Sequence, residues 1–173
     1  QDRAEQVVSQ ARDYGVTAVP IQADVGIDVD ARRLVAETVE ALGGLDILVN
    51  NAAITRFVDI PDLEGVTEDV WADIFRTNVH GVFQVTRAAA PHLKESGNGV
   101  VVNIGSTAGF GNGGSSIPYC ASKAVVHSMT KTLSRALAPT VRVNCVAPGW
   151  IDTDWHQQAV DQETHMGRRA FVI

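Results

Sequence analysis

The chain has 173 residues, 45% of them hydrophobic and 20% charged, with 14 Lys and Arg against 20 Asp and Glu. That composition excludes a disordered or fibrous protein, and the length suits a single domain, residues 1–173, built on one core. A net charge of −6 argues against a generic phosphate-backbone or anionic-membrane binder, so neither nucleic acid nor membrane is an expected partner.

The two cysteines, Cys120 and Cys145, do not make a disulfide scaffold, and a reducing compartment is expected. No apolar run approaches the roughly 18 residues of a membrane span, and the first residues lack the apolar core of a secretory signal, so the expected location is cytoplasmic.

In chain order, Ala4, Val7, Val8 and Ala11 recur at helical spacing from Asp2 to Tyr14, before Gly15. Thr17 to Ala23 reads as a short strand. Asp28 to Leu42 is helical, with Leu34, Val35, Val39 and Leu42 on one stripe, and Gly43-Gly44 ends it. Leu45 to Val49 is an apolar run of the kind buried in a parallel sheet. One long helix is expected from about Thr67 to Lys94, then a strand over Val100 to Ile104 and a Gly/Ser-rich loop from Gly105 to Ser116. Pro118 to Leu137 is helical, and Val141 to Val146 is a further strand ending at Pro148-Gly149.

Strands alternating with helices of ten or more residues predict an α/β fold with a parallel sheet and right-handed crossovers. Ligands in such sheets sit beyond the carboxyl ends of the strands. The rule selects Asp24-Val25, Asn50 to Ile54, Gly105 to Ser116, and Ala147 to Asp154.

Gly109, Gly111 and Gly114 match G-x-G-x-x-G, but no acid occurs between Glu95 and Asp152 and the helix begins only near Pro118. The phosphate-binding fingerprint opens a helix directly and is followed by an acid, so this match reads as a flexible loop. The same acid-free stretch carries Lys123, Lys131, Arg135 and Arg142. Tyr119 and Lys123 stand at i, i+4, phenol and ammonium one turn apart on a helix face. A nearby cation favours the phenolate of a group whose reference pKa is about 10, so the pair can exchange a proton with an alcohol or carbonyl oxygen.

Ser106 follows the Val100 to Ile104 strand, where it can converge with Tyr119 on one oxygen. Asn78 sits inside the long helix, a poor place for Asn by propensity. His80, His92, His127, His156 and His165 form no metal-ligand pattern, and they read as surface or packing residues. Trp150, Trp155 and His156 line a pocket or cover core.

The Asp24-Val25 pair, the Asn50-Asn51-Ala52-Ala53 turn, Asn78, Ser106, Tyr119 with Lys123, and Pro148 to Thr153 together resemble the short-chain dehydrogenase/reductase family. The resemblance runs from the first helix to about Trp155, most nearly toward sugar, polyol and 3-oxoacyl reductases. It implies a Rossmann-like, doubly wound, three-layer α/β/α fold. It also implies an NAD- or NADP-dependent exchange between a secondary alcohol and a ketone, both small molecules.

By the same resemblance Tyr119 is the general acid or base, Ser106 binds the substrate oxygen, Lys123 holds the ribose and depresses the Tyr119 pKa, and Asn78 positions a proton-relaying water. Asp24 and Val25 would meet the adenine, and Asn50 with Ala52 the adenosine side. Pro148 and Gly149 would line the cofactor, and Ile151 and Thr153 would meet its carboxamide. A homodimer or homotetramer through the two long helices is implied.

Two departures accompany it. Ala53 stands where the family usually has Gly. No Gly-rich phosphate turn precedes Asp24, and the expected strands correspond to the family's third to sixth. The fold is therefore expected to be incomplete, lacking its first two strands and its last. A competing expectation is a non-catalytic fragment that binds no dinucleotide and persists by self-association.

Overall fold

The computed structural model describes residues 2–111 and 113–151. Three parallel strands form one sheet in the order β1 (Ile47–Asn50), β2 (Gly99–Ile104), β3 (Val141–Val146). Ile47 lies opposite Val100, and Val101 opposite Val143. Each crossover returns the chain in the same direction through a helical connection, which places the connecting helices on one face of the sheet.

α3 (Glu68–Phe75) and α4 (Val82–Glu95) lie in the first crossover and α5 (Ile117–Leu137) in the second, while α1 (Asp2–Asp13) and α2 (Asp28–Leu42) precede β1. α5 packs along β3, and α4 packs against α2 and the first two strands. Their shared core holds Val35, Val85, Ala89, Leu93, Val101, Leu137, Val141 and Val143. On the other sheet face Ile47, Val49 and Val146 stay exposed. The described residues thus supply the sheet and one helix layer of the expected three.

Two predicted elements differ. Residues 16–24 run without helix or strand, because no neighbouring strand among the described residues lies beside them to complete a ladder. The single helix expected from Thr67 to Lys94 is three segments, since Arg76–Gly81 is π-helical between α3 and α4. The sequence pattern does not separate these, because Trp71, Phe75, Val79 and Phe83 keep a spacing of four straight through the segment. Within the loop after β2, Thr107–Phe110 forms a turn of 3₁₀ helix. Thr67 caps α3 and Ser116 caps α5, each side chain accepting from a backbone N–H three residues on.

Candidate active site

Helix α5 begins just beyond the carboxyl end of β2 in space, and this juxtaposition brings three predicted residues together. The Ser106 hydroxyl stands close enough to the Tyr119 phenol to act on its pKa. The Ser106 Oγ accepts from the Ala108 N–H at 3.2 Å, so its own proton remains to be donated. Lys123 is 4% exposed and donates to the Ile104 carbonyl at 2.8 Å, with Nζ 5.7 Å from the centre of the Tyr119 ring.

Burial raises the Tyr119 pKa above its ordinary value, and the Ser106 hydroxyl pulls the other way. Lys123 Nζ stands over the face of the Tyr119 ring, 5.7 Å from its centre. Its ammonium is drawn to a backbone carbonyl and over the ring face, and burial lowers its own pKa.

Asn78 lies in the π-helical segment and is 1% exposed. Its Oδ1 accepts from the Ile54 N–H at 2.8 Å, and its Nδ2 donates to the Ile54 carbonyl at 3.0 Å and to Ser122 Oγ at 3.1 Å. Ser122 in turn donates to the Tyr119 carbonyl at 2.8 Å. The side chain therefore clamps the loop after β1 to the start of α5. These bonds commit its side-chain amide to the protein.

Asn50 also turns inward. Its Nδ2 donates to Thr86 Oγ1 at 2.9 Å and to Asn103 Oδ1 at 2.8 Å, and Asn103 passes a hydrogen bond on to Thr130. Its amide thus binds core rather than the adenosine side it was expected to meet. Ala52 is exposed beside it, and Ala53 needs no special backbone, since no non-glycine residue among those described has positive φ.

Asp24 pairs with Arg76 at 2.6 Å and accepts from the Gly26 N–H at 2.8 Å, and the Arg76 hydrogen bond is the main reason its pKa is lowered. Val25 packs on Gly81, where a Cβ would come within 2.7 Å of its Cγ2. Asp24 lines a groove together with Pro20, Gln22, Asp30 and Arg33.

The end of β3 and the chain just after it reach the Ser106 loop. Gly105 N–H donates to the Val146 carbonyl at 2.8 Å, and Thr107 N–H to the Pro148 carbonyl at 2.9 Å. Backbone at Gly149 is open, with nothing nearer than 3.9 Å to a Cβ placed there, and Ile151 is exposed. Thr153, Trp155 and His156 lie outside the described residues.

One residue assigned no role in the sequence also meets the site. His127 lies under the Ser106 loop and stacks on Phe110 at 4.2 Å between ring centres. The signal for it was register, since Tyr119, Lys123 and His127 recur every four residues on α5.

A family model described as short chain dehydrogenase matches residues 1–164. A protein named as a ketoacyl reductase of the granaticin polyketide synthase in Streptomyces violaceoruber is 49% identical over 142 residues, which are 82% of this chain and 57% of that protein. A gluconate 5-dehydrogenase from Burkholderia cenocepacia J2315, solved with NADP and tartrate, superposes with a TM-score of 0.84 at 31% identity, over 94% of this chain and 63% of its own. An NAD+-bound xylitol dehydrogenase gives 0.83 at 28% identity, over 91% and 61%. The chain spans a little over half the length of these relatives. With the parallel sheet, the Ser106–Tyr119 contact and the buried Lys123 already in place, the family match across most of its length establishes that the chain belongs to the short-chain dehydrogenases.

Proposed function

We propose that the protein interconverts a secondary alcohol and a ketone, using NAD or NADP, with Tyr119 as general acid in reduction and general base in oxidation. The observation that carries this reading is the Ser106 hydroxyl set beside the Tyr119 phenol at the end of β2, with the Lys123 ammonium buried one turn along the same helix. The neighbours' bound NADP and NAD+ support a nicotinamide cofactor, and their names support a small hydroxylated substrate.

The residues present suit the ribose and nicotinamide end of such a cofactor. An ammonium has three donors, and Lys123 spends one of them on Ile104, which leaves others for ribose hydroxyls. The open backbone at Gly149 leaves space for a ring to approach. When bound, the cofactor supplies or accepts the hydride. In reduction Tyr119 gives its phenolic proton to the carbonyl oxygen, and Ser106 turns its hydroxyl proton to the same oxygen. In oxidation the tyrosinate takes the alcohol proton. Free Cys120 and Cys145 suit a reducing cytoplasmic setting.

Replacing Tyr119 by Phe in the active protein removes the transferable proton and little else. Turnover with the best substrate should fall at least about 100-fold, as expected for loss of a general acid or base, while cofactor affinity changes little. Survival of turnover within tenfold would overturn the assignment.

The open sheet face favours a second reading, in which this chain by itself is non-catalytic and persists by self-association. Titration of the chain with NADH, followed by fluorescence, separates the two. Saturable binding excludes the second.

A further inference from the structure

We propose that His127 is a positioning residue for the oxidoreductase centre, holding the Ser106 main chain from the same helix stripe that carries Tyr119 and Lys123. The inference rests on the reading of Ser106 and Tyr119 given above. It starts from where the backbone N–H groups of the Ser106 loop go. Gly105 donates to the Val146 carbonyl at the end of β3 at 2.8 Å and Thr107 to the Pro148 carbonyl just beyond it at 2.9 Å, while Ala108 and Gly109 donate to Ser106 itself, at 3.2 and 3.0 Å. The Ser106 N–H, between them, donates to His127 Nε2 at 3.5 Å.

The imidazole also fits its place by shape. A Cβ on Gly105 would lie 2.5 Å from His127 Nε2 and 2.8 Å from Cys145 Sγ, and one on Gly109 would lie 2.7 Å from His127 Cε1. Side chains at either position would displace the ring or the loop. Phe110 stacks on it at 4.2 Å. The half-buried ring therefore lies between two bare stretches of backbone and one aromatic face, with Nε2 under Ser106 and a buried Nδ1 that meets no partner among the described residues. Because α5 is one rigid helix, the same rod sets Tyr119 on one side of the substrate oxygen and Ser106 on the other.

Accepting at Nε2 requires a neutral ring that carries its proton on Nδ1. Charged and titratable groups around it are Lys123 and Lys131 on its own helix and Cys145 on β3, and residues 105–110 bring none. Burial and the two lysines lower its pKa, which keeps the acceptor available at neutral pH. Protonation on acidification removes the acceptor. A histidine with a lowered folded pKa costs stability as pH falls from its ordinary value of about 6.5 toward that lower value, and the loop itself should loosen as pH falls through the lower value, where the folded ring protonates.

The tautomer is tested first, because it needs no turnover. Long-range ¹H–¹⁵N correlation spectra of the ¹⁵N-labelled chain at neutral pH should show His127 Nε2 unprotonated and Nδ1 protonated, and the reverse would overturn the proposal. The activity arm compares His127→Leu, which keeps bulk without an acceptor, with His127→Gln, whose amide oxygen can stand where Nε2 does. In the active protein the Leu variant should lose at least tenfold in kcat with cofactor affinity changed less than threefold. The Gln variant should recover to within threefold of the parent and lose the acid limb of the pH profile. Equal loss in both variants, or no loss in Leu, would overturn it. If Tyr119→Phe leaves turnover intact while the His127 tautomer is as expected, the oxidoreductase reading fails and the loop contact stands.

Discussion

Tyr119 illustrates how two opposing effects set one group's chemistry. Burial disfavours the phenolate and raises the pKa, whereas the Ser106 hydroxyl favours it by donation. Oxidation needs the phenolate, so its rate should rise with pH to a plateau set by this balance. Removing the donor in Ser106→Ala should shift the midpoint to higher pH. The chain has only 2 tyrosines, so in a Tyr14→Phe background the tyrosinate absorbance of Tyr119 can be titrated directly. A midpoint that stays or falls on losing Ser106 would contradict the balance. Lys123→Met should move this ligand-free midpoint less than Ser106→Ala does, because Lys123 spends a donor on Ile104 rather than on the phenol.

At the scale of elements, the π-helical turn at Arg76–Gly81 is the device that joins the loop after β1 to α5. Such turns commonly mark functional sites, since the local change in rise re-aims side chains that a regular helix would direct elsewhere. Here it turns Asn78 into the space between Ile54 and Ser122. Asn78→Ala leaves the Ile54 groups without this partner, at a cost of about 1–3 kcal/mol for each buried group left unsatisfied. The urea midpoint should fall with its slope unchanged, as expected when stability changes but the surface exposed on unfolding does not. An unchanged midpoint would mean that water replaces the amide without loss. The chain of amides and hydroxyls from Asn50 through Asn103 to Thr130 does similar work deeper in, tying β1 to β2 and β2 to α5.

At the scale of the described residues taken together, apolar surface without cover stands out. Ile47, Val49 and Val146 lie exposed on the open sheet face, and Trp71 and Phe83 are partly exposed on α3 and α4. Apolar surface beyond a scattering of single residues marks an interaction site. Our proposal of a homodimer or homotetramer through the long helices follows from Trp71 and Phe83 together with the half-buried Val125 and Met129 on α5. Light scattering of the active protein at micromolar concentration should give at least twice the monomer mass, and replacing Trp71 and Phe83 together by polar residues should reduce it. A monomer before any substitution would rule the proposal out. Among the described residues no helix is long and apolar enough to cross a membrane.

Hydrophobic periodicity and turn residues in the sequence were enough to determine α1, α2, α5 and the three parallel strands, because burial of one stripe or one run is a local property. The positions of Tyr119 and Lys123 relative to each other were legible for the same reason, since a helix converts spacing of four into adjacency. Tertiary structure alone decided the rest. Residues 16–24 have strand-like composition, yet a strand exists only when a neighbour completes its hydrogen bonds, and spacing along the chain says nothing about neighbours. Asn50, Asn78 and Asp24 could each face a ligand or the protein, and their partners Thr86, Ser122 and Arg76 lie 36, 44 and 52 residues away. The same holds for His127, whose place under Ser106 depends on glycines that leave no side chain in its way.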